Sequence, residues 1–240
     1  MMRIKILIGF GATLALQACT LAVPQQTARP VSQPAVAAPP VLSADVASRN
    51  FVNVVDRVEP IAEAQCRARL PRANCDFQIV IDDRADQGVN AFQTLDRNGR
   101  PILGFTIGLI AEARNADELA FVMGHEAAHH IEGHIPQAQR QAQAGALAGA
   151  LLGALIGGGN QTLIDQGMNV GGFVGARRFS QDHELEADAL GTVIAKRAGY
   201  DPVRGAAFFT RIPDPGDQFL GSHPPNAARI ETVRRVAAGL

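Results

Sequence analysis

"HEAAHHIEGH", residues 125–134, places four of the chain's six histidines within ten positions. On an α-helix, at about 100° per residue, His125 and His129 project about 40° apart and one turn separated, so both imidazoles reach one point. Glu126 falls about 100° from His125 and about 60° from His129, which lets its carboxylate overhang whatever the two histidines hold. This is H-E-x-x-H: two neutral nitrogen ligands for zinc and a carboxylate base beside them. His130, at about 140° from His125, and His134, at about 180°, face elsewhere for as long as the helix continues. The preceding residues favour a helix, because Asn115 is placed to cap it, Glu118 follows three residues on, and Asp117 lies in the first turn.

A catalytic zinc takes three protein ligands and keeps one position open. The segment "HELEADALG", residues 183–191, offers the third. Glu184 and Asp188 are four apart and share a helix face, whereas Glu186 points about 200° from Glu184, toward solvent or a partner charge. Glu184 is therefore the better ligand. Asp188, one turn on, is placed to accept the free ring N–H of a liganding histidine and hold its tautomer.

The rest of the chain sets the context. With 240 residues and a net charge of −1, nothing points to nucleic acid or to an acidic partner. The N-terminus reads as an export signal: "MMRIK" is a basic start, "ILIGFGATLAL" an apolar stretch too short to span a bilayer, and "LQAC" puts a small residue ahead of Cys19. "LQAC" resembles a bacterial lipobox, which implies a signal peptide over 1–18 and a lipidated Cys19, with Thr20 next to it resembling outer-membrane sorting. Residues 20–42 hold five prolines, no acid and no aromatic, and so form a tether rather than a core. The expected domains are thus 1–18, 19–43 as lipidated cysteine and tether, and 44–240 as the folded part. Cys66 and Cys75 remain as an even pair in an oxidising compartment, and a disulfide between them is expected.

Within the folded part, a helical pattern runs from Ser43 to about Leu70, with Pro60 marking a kink or a restart. Strands are expected at 77–83, 90–96 and 101–106, the last two joined by a turn at Asn98-Gly99, as a small antiparallel sheet ahead of the metal helix. Helices follow from Ser180 to Gly199, from Asp201-Pro202, and after "SHPPN". The Gly/Ala-rich segment 143–176 admits two readings, a close-packed helical hairpin or a mobile, membrane-facing flap.

In order along the chain, "VNAF" (89–92), "GLI" (108–110), "HEAAH", "ELEAD" and "SHPPNAARI" (222–230) resemble the gluzincin metallopeptidases of the HtpX and CAAX-prenyl-protease type, which include periplasmic quality-control lipoproteins. The resemblance spans roughly 45–238. It implies an α+β, zincin-like fold, one zinc ion on His125, His129 and Glu184, Glu126 as the catalytic carboxylate and Asp188 as support. It also implies an asparagine beside the site at Asn90. His223 matches a histidine that approaches the metal or the reacting carbonyl, and Pro224 and Pro225 fix its direction; as a plug on the metal or as a hydrogen-bond donor it would act in opposite senses. The implied function is a lipid-tethered endopeptidase of the bacterial envelope, acting on extended protein or peptide substrates that are misfolded or unassembled. An assembly factor or chaperone with an idle zinc site, acting with the envelope assembly machinery, and a hydrolase of peptidoglycan peptides are the alternatives. The long transmembrane pair of HtpX is lacking, and segment 143–176 stands in its place.

Overall fold

The structure is a computed structural model that describes residues 41–178, 180–211 and 225–240. The signal peptide, Cys19, nearly all of the tether and His223 lie outside those residues. The first helix, α1 (Ala44–Arg69), buries Ala47, Phe51, Val54, Val58, Ala62 and Cys66 along one stripe. That spacing of three and four is what an amphipathic helix needs to lay one face on a core. α1 runs on through Pro60 without a restart. At its end Cys66 is bonded to Cys75, as expected.

The three strands are β1 (Gln78–Asp82), β2 (Ala91–Leu95) and β3 (Pro101–Thr106). The β2–β3 hairpin is antiparallel, running from Ala91 opposite Phe105 to Leu95 opposite Pro101. β1, however, pairs in parallel with β3, from Gln78 opposite Ile102 to Asp82 opposite Thr106, so the sheet is mixed, in the order β1-β3-β2, and not antiparallel throughout. Hydrophobicity explains the arrangement. "PILGFT" is almost wholly apolar and buried, so it takes the centre, and the partly exposed β1 and β2 take the edges.

Thr106 ends β3 and caps α2 (Ile107–Glu112) by accepting the Leu109 N–H. α3 (Ala116–Ile131) then begins as the capping pattern requires: the Asn115 side chain accepts the Glu118 N–H at 3.1 Å, and Asn115 Nδ2 donates to the Glu118 carboxylate at 3.2 Å. Glu118 is buried and receives the Arg211 guanidinium as well. Gly133, at φ +69°, breaks the chain direction after α3, and α4 (His134–Gly157) pairs with α5 (Gln161–Arg178) as a helical hairpin. α6 (Ser180–Arg197) ends near Gly199, at φ +88°. Asp201 caps the short α7 (Pro202–Gly205) by accepting from Val203 and Arg204, and α8 (Asn226–Ala238) closes the chain. The core between sheet and helices is filled by Phe51, Phe77, Phe105, Phe121, Met123 and Ile194. The α+β, zincin-like fold is the one expected. No described helix is long and apolar enough to cross a membrane.

Candidate metal centre

α3 and α6 touch backbone to backbone. A Cβ on Gly124 would stand 2.8 Å from the Gly191 carbonyl oxygen, and one on Gly191 would stand 2.8 Å from the His125 nitrogen. Only glycine at both positions allows so close a crossing. It carries Glu184 and Asp188 of α6 directly over His125 and His129 of α3.

There His125 Nε2 and His129 Nε2 lie 3.0 Å apart, with Glu184 Oε2 3.4 Å from the first and Glu184 Oε1 3.5 Å from the second. Donors on a tetrahedral zinc, each about 2.0 to 2.1 Å from the ion, stand roughly 3.3 Å from one another, so the three atoms already form one face of such a site. Electrostatics agrees. Burial alone would lower the His125 pKa, but the hydrogen bonds and negative charge of Asp188 and Glu184 raise it to about 10. Burial and the neighbouring His125 drive His129 the other way, to about 2. The carboxylates of Asp188 and Glu184 thus put negative charge against the two imidazoles.

Each histidine is held from behind. His125 Nδ1 donates to Asp188 Oδ1 at 2.9 Å, which leaves the Nε2 lone pair facing the site. Asp188 is fully buried and is gripped by Arg229 of α8 through two hydrogen bonds of 2.8 Å, while the Arg229 guanidinium lies 3.8 Å from the centre of the Phe209 ring. For His129 the support is another histidine: His134 Nδ1 is 2.8 Å from His129 Nδ1, and His134 Nε2 is 3.1 Å from Glu186 Oε2. The Glu186 carboxylate only accepts, so His134 carries its proton on Nε2 and accepts from His129 on Nδ1. That order leaves the His129 Nε2 lone pair free for a metal. The His183 ring stacks on His134 at 4.4 Å. His130 stays out of the cluster, with Nε2 2.9 Å from the Asn74 carbonyl oxygen, tying α3 to the disulfide loop.

Glu126 lines a small cleft beside the metal ligands, together with His129, Ile135 and Gln93 of the edge strand β2. Asn90 lies exposed just before β2. Its backbone is fixed by Thr106, whose Oγ1 accepts the Asn90 N–H at 3.0 Å and donates to the Asn90 carbonyl at 2.9 Å. So the structure brings His125, His129, Glu126, Glu184 and Asp188 together and sets Asn90 at the mouth of the strand. Arg229 and Gln93 were not singled out by the sequence, and His134, expected to face away from the site, is brought back to His129 because α3 ends at Ile131. Arg229 answers the burial of Asp188, which needs a cation beside it, and no local feature of the sequence marks it. The signal for His134 was Gly133, a residue that ends helices.

Two histidines and a glutamate converging on one point, with a second glutamate at the second position of the H-E-x-x-H motif, define a zinc metallopeptidase of the zincin type. Residues 49–237 match the model of peptidase family M48, and the chain belongs to that family of zinc-dependent hydrolases of peptide bonds. No curated protein matches the chain.

Proposed function

We propose that the chain is a zinc metalloendopeptidase held in the bacterial envelope by a lipid on Cys19, facing the periplasm from the outer membrane, where it degrades misfolded or unassembled proteins. The observation that carries the peptidase chemistry is the ligand set His125, His129 and Glu184 with Glu126 in the adjoining cleft. Bound zinc supplies a Lewis acid, which acidifies water and polarises a carbonyl. Glu126 takes the proton of the attacking water and passes it to the departing amine, general acid–base work worth roughly a hundred- to ten-thousandfold in rate. Asp188 with Arg229, and His134 with Glu186, hold the two imidazoles with Nε2 toward Glu184, where a zinc ion would be bound. Asn90 and His223 are the candidates for a further hydrogen bond to the reacting carbonyl, a kind of contact worth about 3 to 4 kcal/mol. β2, an edge of the sheet whose Gln93 reaches the cleft, offers a template on which an extended peptide adds as a further strand. Such binding reads backbone more than side chains, which suits unfolded substrates of varied sequence.

The experiment is casein hydrolysis and metal analysis on wild type beside Glu126→Gln. The variant keeps about one zinc per chain, because every ligand remains, and loses at least about a hundredfold in rate. Hydrolysis at an undiminished rate would remove Glu126 from the mechanism.

A further inference from the structure

The α4–α5 hairpin is built unlike the rest of the molecule. Its two helices meet along Gly145, Gly149 and Gly153 on one side and Gly167, Gly171 and Gly175 on the other, so closely that a Cβ at these positions would run into the facing backbone. The large apolar side chains are therefore not between the helices. They point outward. Leu147, Leu151 and Leu155 stand on the face of α4 opposite the glycine seam, and Leu152 and Ile156 flank it, with exposure reaching 80% at Leu155 and 82% at Ile156. The apolar surface continues across the groove onto Leu163 and Val170 of α5.

We propose that this face of the hairpin lies in the interfacial layer of a lipid bilayer. Three features favour lipid over a second copy of the chain or another protein. Residues 141–164 contain no charged side chain, and the charge that borders the apolar stripe is Arg140, on the same helical face as Leu147 and Leu151 and at the end nearest the catalytic domain. A basic residue at the foot of an apolar stripe is placed to reach anionic headgroups while its stem stays in the apolar layer. The hairpin also differs from face to face: the outer face of α5 carries Thr162, Asp165 and Asn169 beside the half-exposed Phe173, whereas beyond Arg140 the outer face of α4 carries only leucines among its large side chains. Finally, several backbone N–H groups of the tip are bonded within it, which lowers the cost of an apolar medium. Gly159 N donates to the Ala154 carbonyl, Asn160 N to the Gly157 carbonyl, and the Asn160 side chain accepts from Thr162. A lipid on Cys19, under the reading above, would hold a bilayer within reach, but the chemistry of the hairpin does not depend on it.

The test uses the full chain with Cys19→Ser. Cys66 and Cys75 are joined, so one introduced thiol is then the single site for an environment-sensitive fluorophore. The label is placed at Leu155→Cys, at Asn169→Cys and at Arg97→Cys, and the proteins are mixed with vesicles of phosphatidylcholine and phosphatidylglycerol carrying bromine on their acyl chains. The label at 155 is expected to brighten roughly twofold or more and shift to the blue in plain vesicles, and to be quenched by the brominated chains. Labels at 169 and 97 stay in water. A label at 155 that remains open to an aqueous quencher overturns the proposal, and so does shielding that arises without vesicles and grows with protein concentration, which would mark a second copy as the occupant. Since Cys19 is absent from every variant, failure here leaves the peptidase and lipidation readings standing.

Discussion

The α3–α6 crossing and the α4–α5 hairpin are both held by glycine against backbone, yet one sits at the centre of the domain and the other faces outward with leucine. At the crossing, the close approach brings His125, His129, Glu184 and Asp188 within reach of one ion, and the buried Asp188 is bonded to both His125 and Arg229. In the hairpin the same device brings nothing polar together and leaves Leu155 and Ile156 largely exposed. Glycine contact is thus a way to remove side chains from a seam. What stands beside the seam decides whether the result is a metal site or an adhesive surface.

The largest expected effect comes from the polar side of that comparison. Arg229→Met removes the cation that grips the fully buried Asp188, and an uncompensated buried charge costs about 3 to 5 kcal/mol. Thermal and urea unfolding should show that loss; stability within about 1 kcal/mol of wild type would mean that Asp188 is not charged in the folded protein. The next effect sets the two seams side by side. Gly191→Ala forces a Cβ against the His125 backbone and should cost about 1 to 3 kcal/mol while weakening zinc binding. Gly149→Ala meets the Gly167 carbonyl and should cost a similar amount with zinc affinity unchanged, as judged by competition with a chelator. Equal loss of zinc from both would show that the hairpin is part of the site. Smaller again is His134→Phe, which keeps a flat ring beside His183 but drops the hydrogen bond to His129. Zinc affinity should fall about ten- to a hundredfold. Glu186→Gln should do less than that, because the Glu186 side chain is 59% exposed and its charge is screened.

Much of the centre was legible in the sequence because it is built from local periodicity. The spacing of four between His125 and His129, and again between Glu184 and Asp188, fixes a helix face without knowledge of the fold. The Asn115–Glu118 cap fixes where the first of those helices begins, and the helix wheel sent Glu186 toward solvent or a partner charge; it is largely exposed and meets the His134 ring. What stayed hidden depends on where a helix stops or on contacts distant along the chain. His134 was placed on the far side of a helix that in fact ends at Ile131, and the turn at Gly133 swings it back to His129. Arg229 lies 41 residues beyond Asp188, and nothing local marks it as a partner. The parallel pairing of β1 with β3 is likewise non-local: the strands were found within a residue or so of their ends, but strand order follows from which strand is most apolar on both faces. The Gly/Ala segment could be read as a hairpin or a flap because glycine weakens helices in isolation, and only the seam between α4 and α5 shows what the glycines are for.

Anomalous diffraction at the zinc absorption edge, on crystals of the zinc-loaded protein, tests the central claim most directly. The account predicts one peak, about 2.0 to 2.1 Å from His125 Nε2 and His129 Nε2 and about 2.0 to 2.2 Å from a Glu184 oxygen, with His134 and Glu186 behind it and unligated. A peak on His134, His183 or Glu186 instead, or a peak bound by both histidines but not by Glu184, would contradict it.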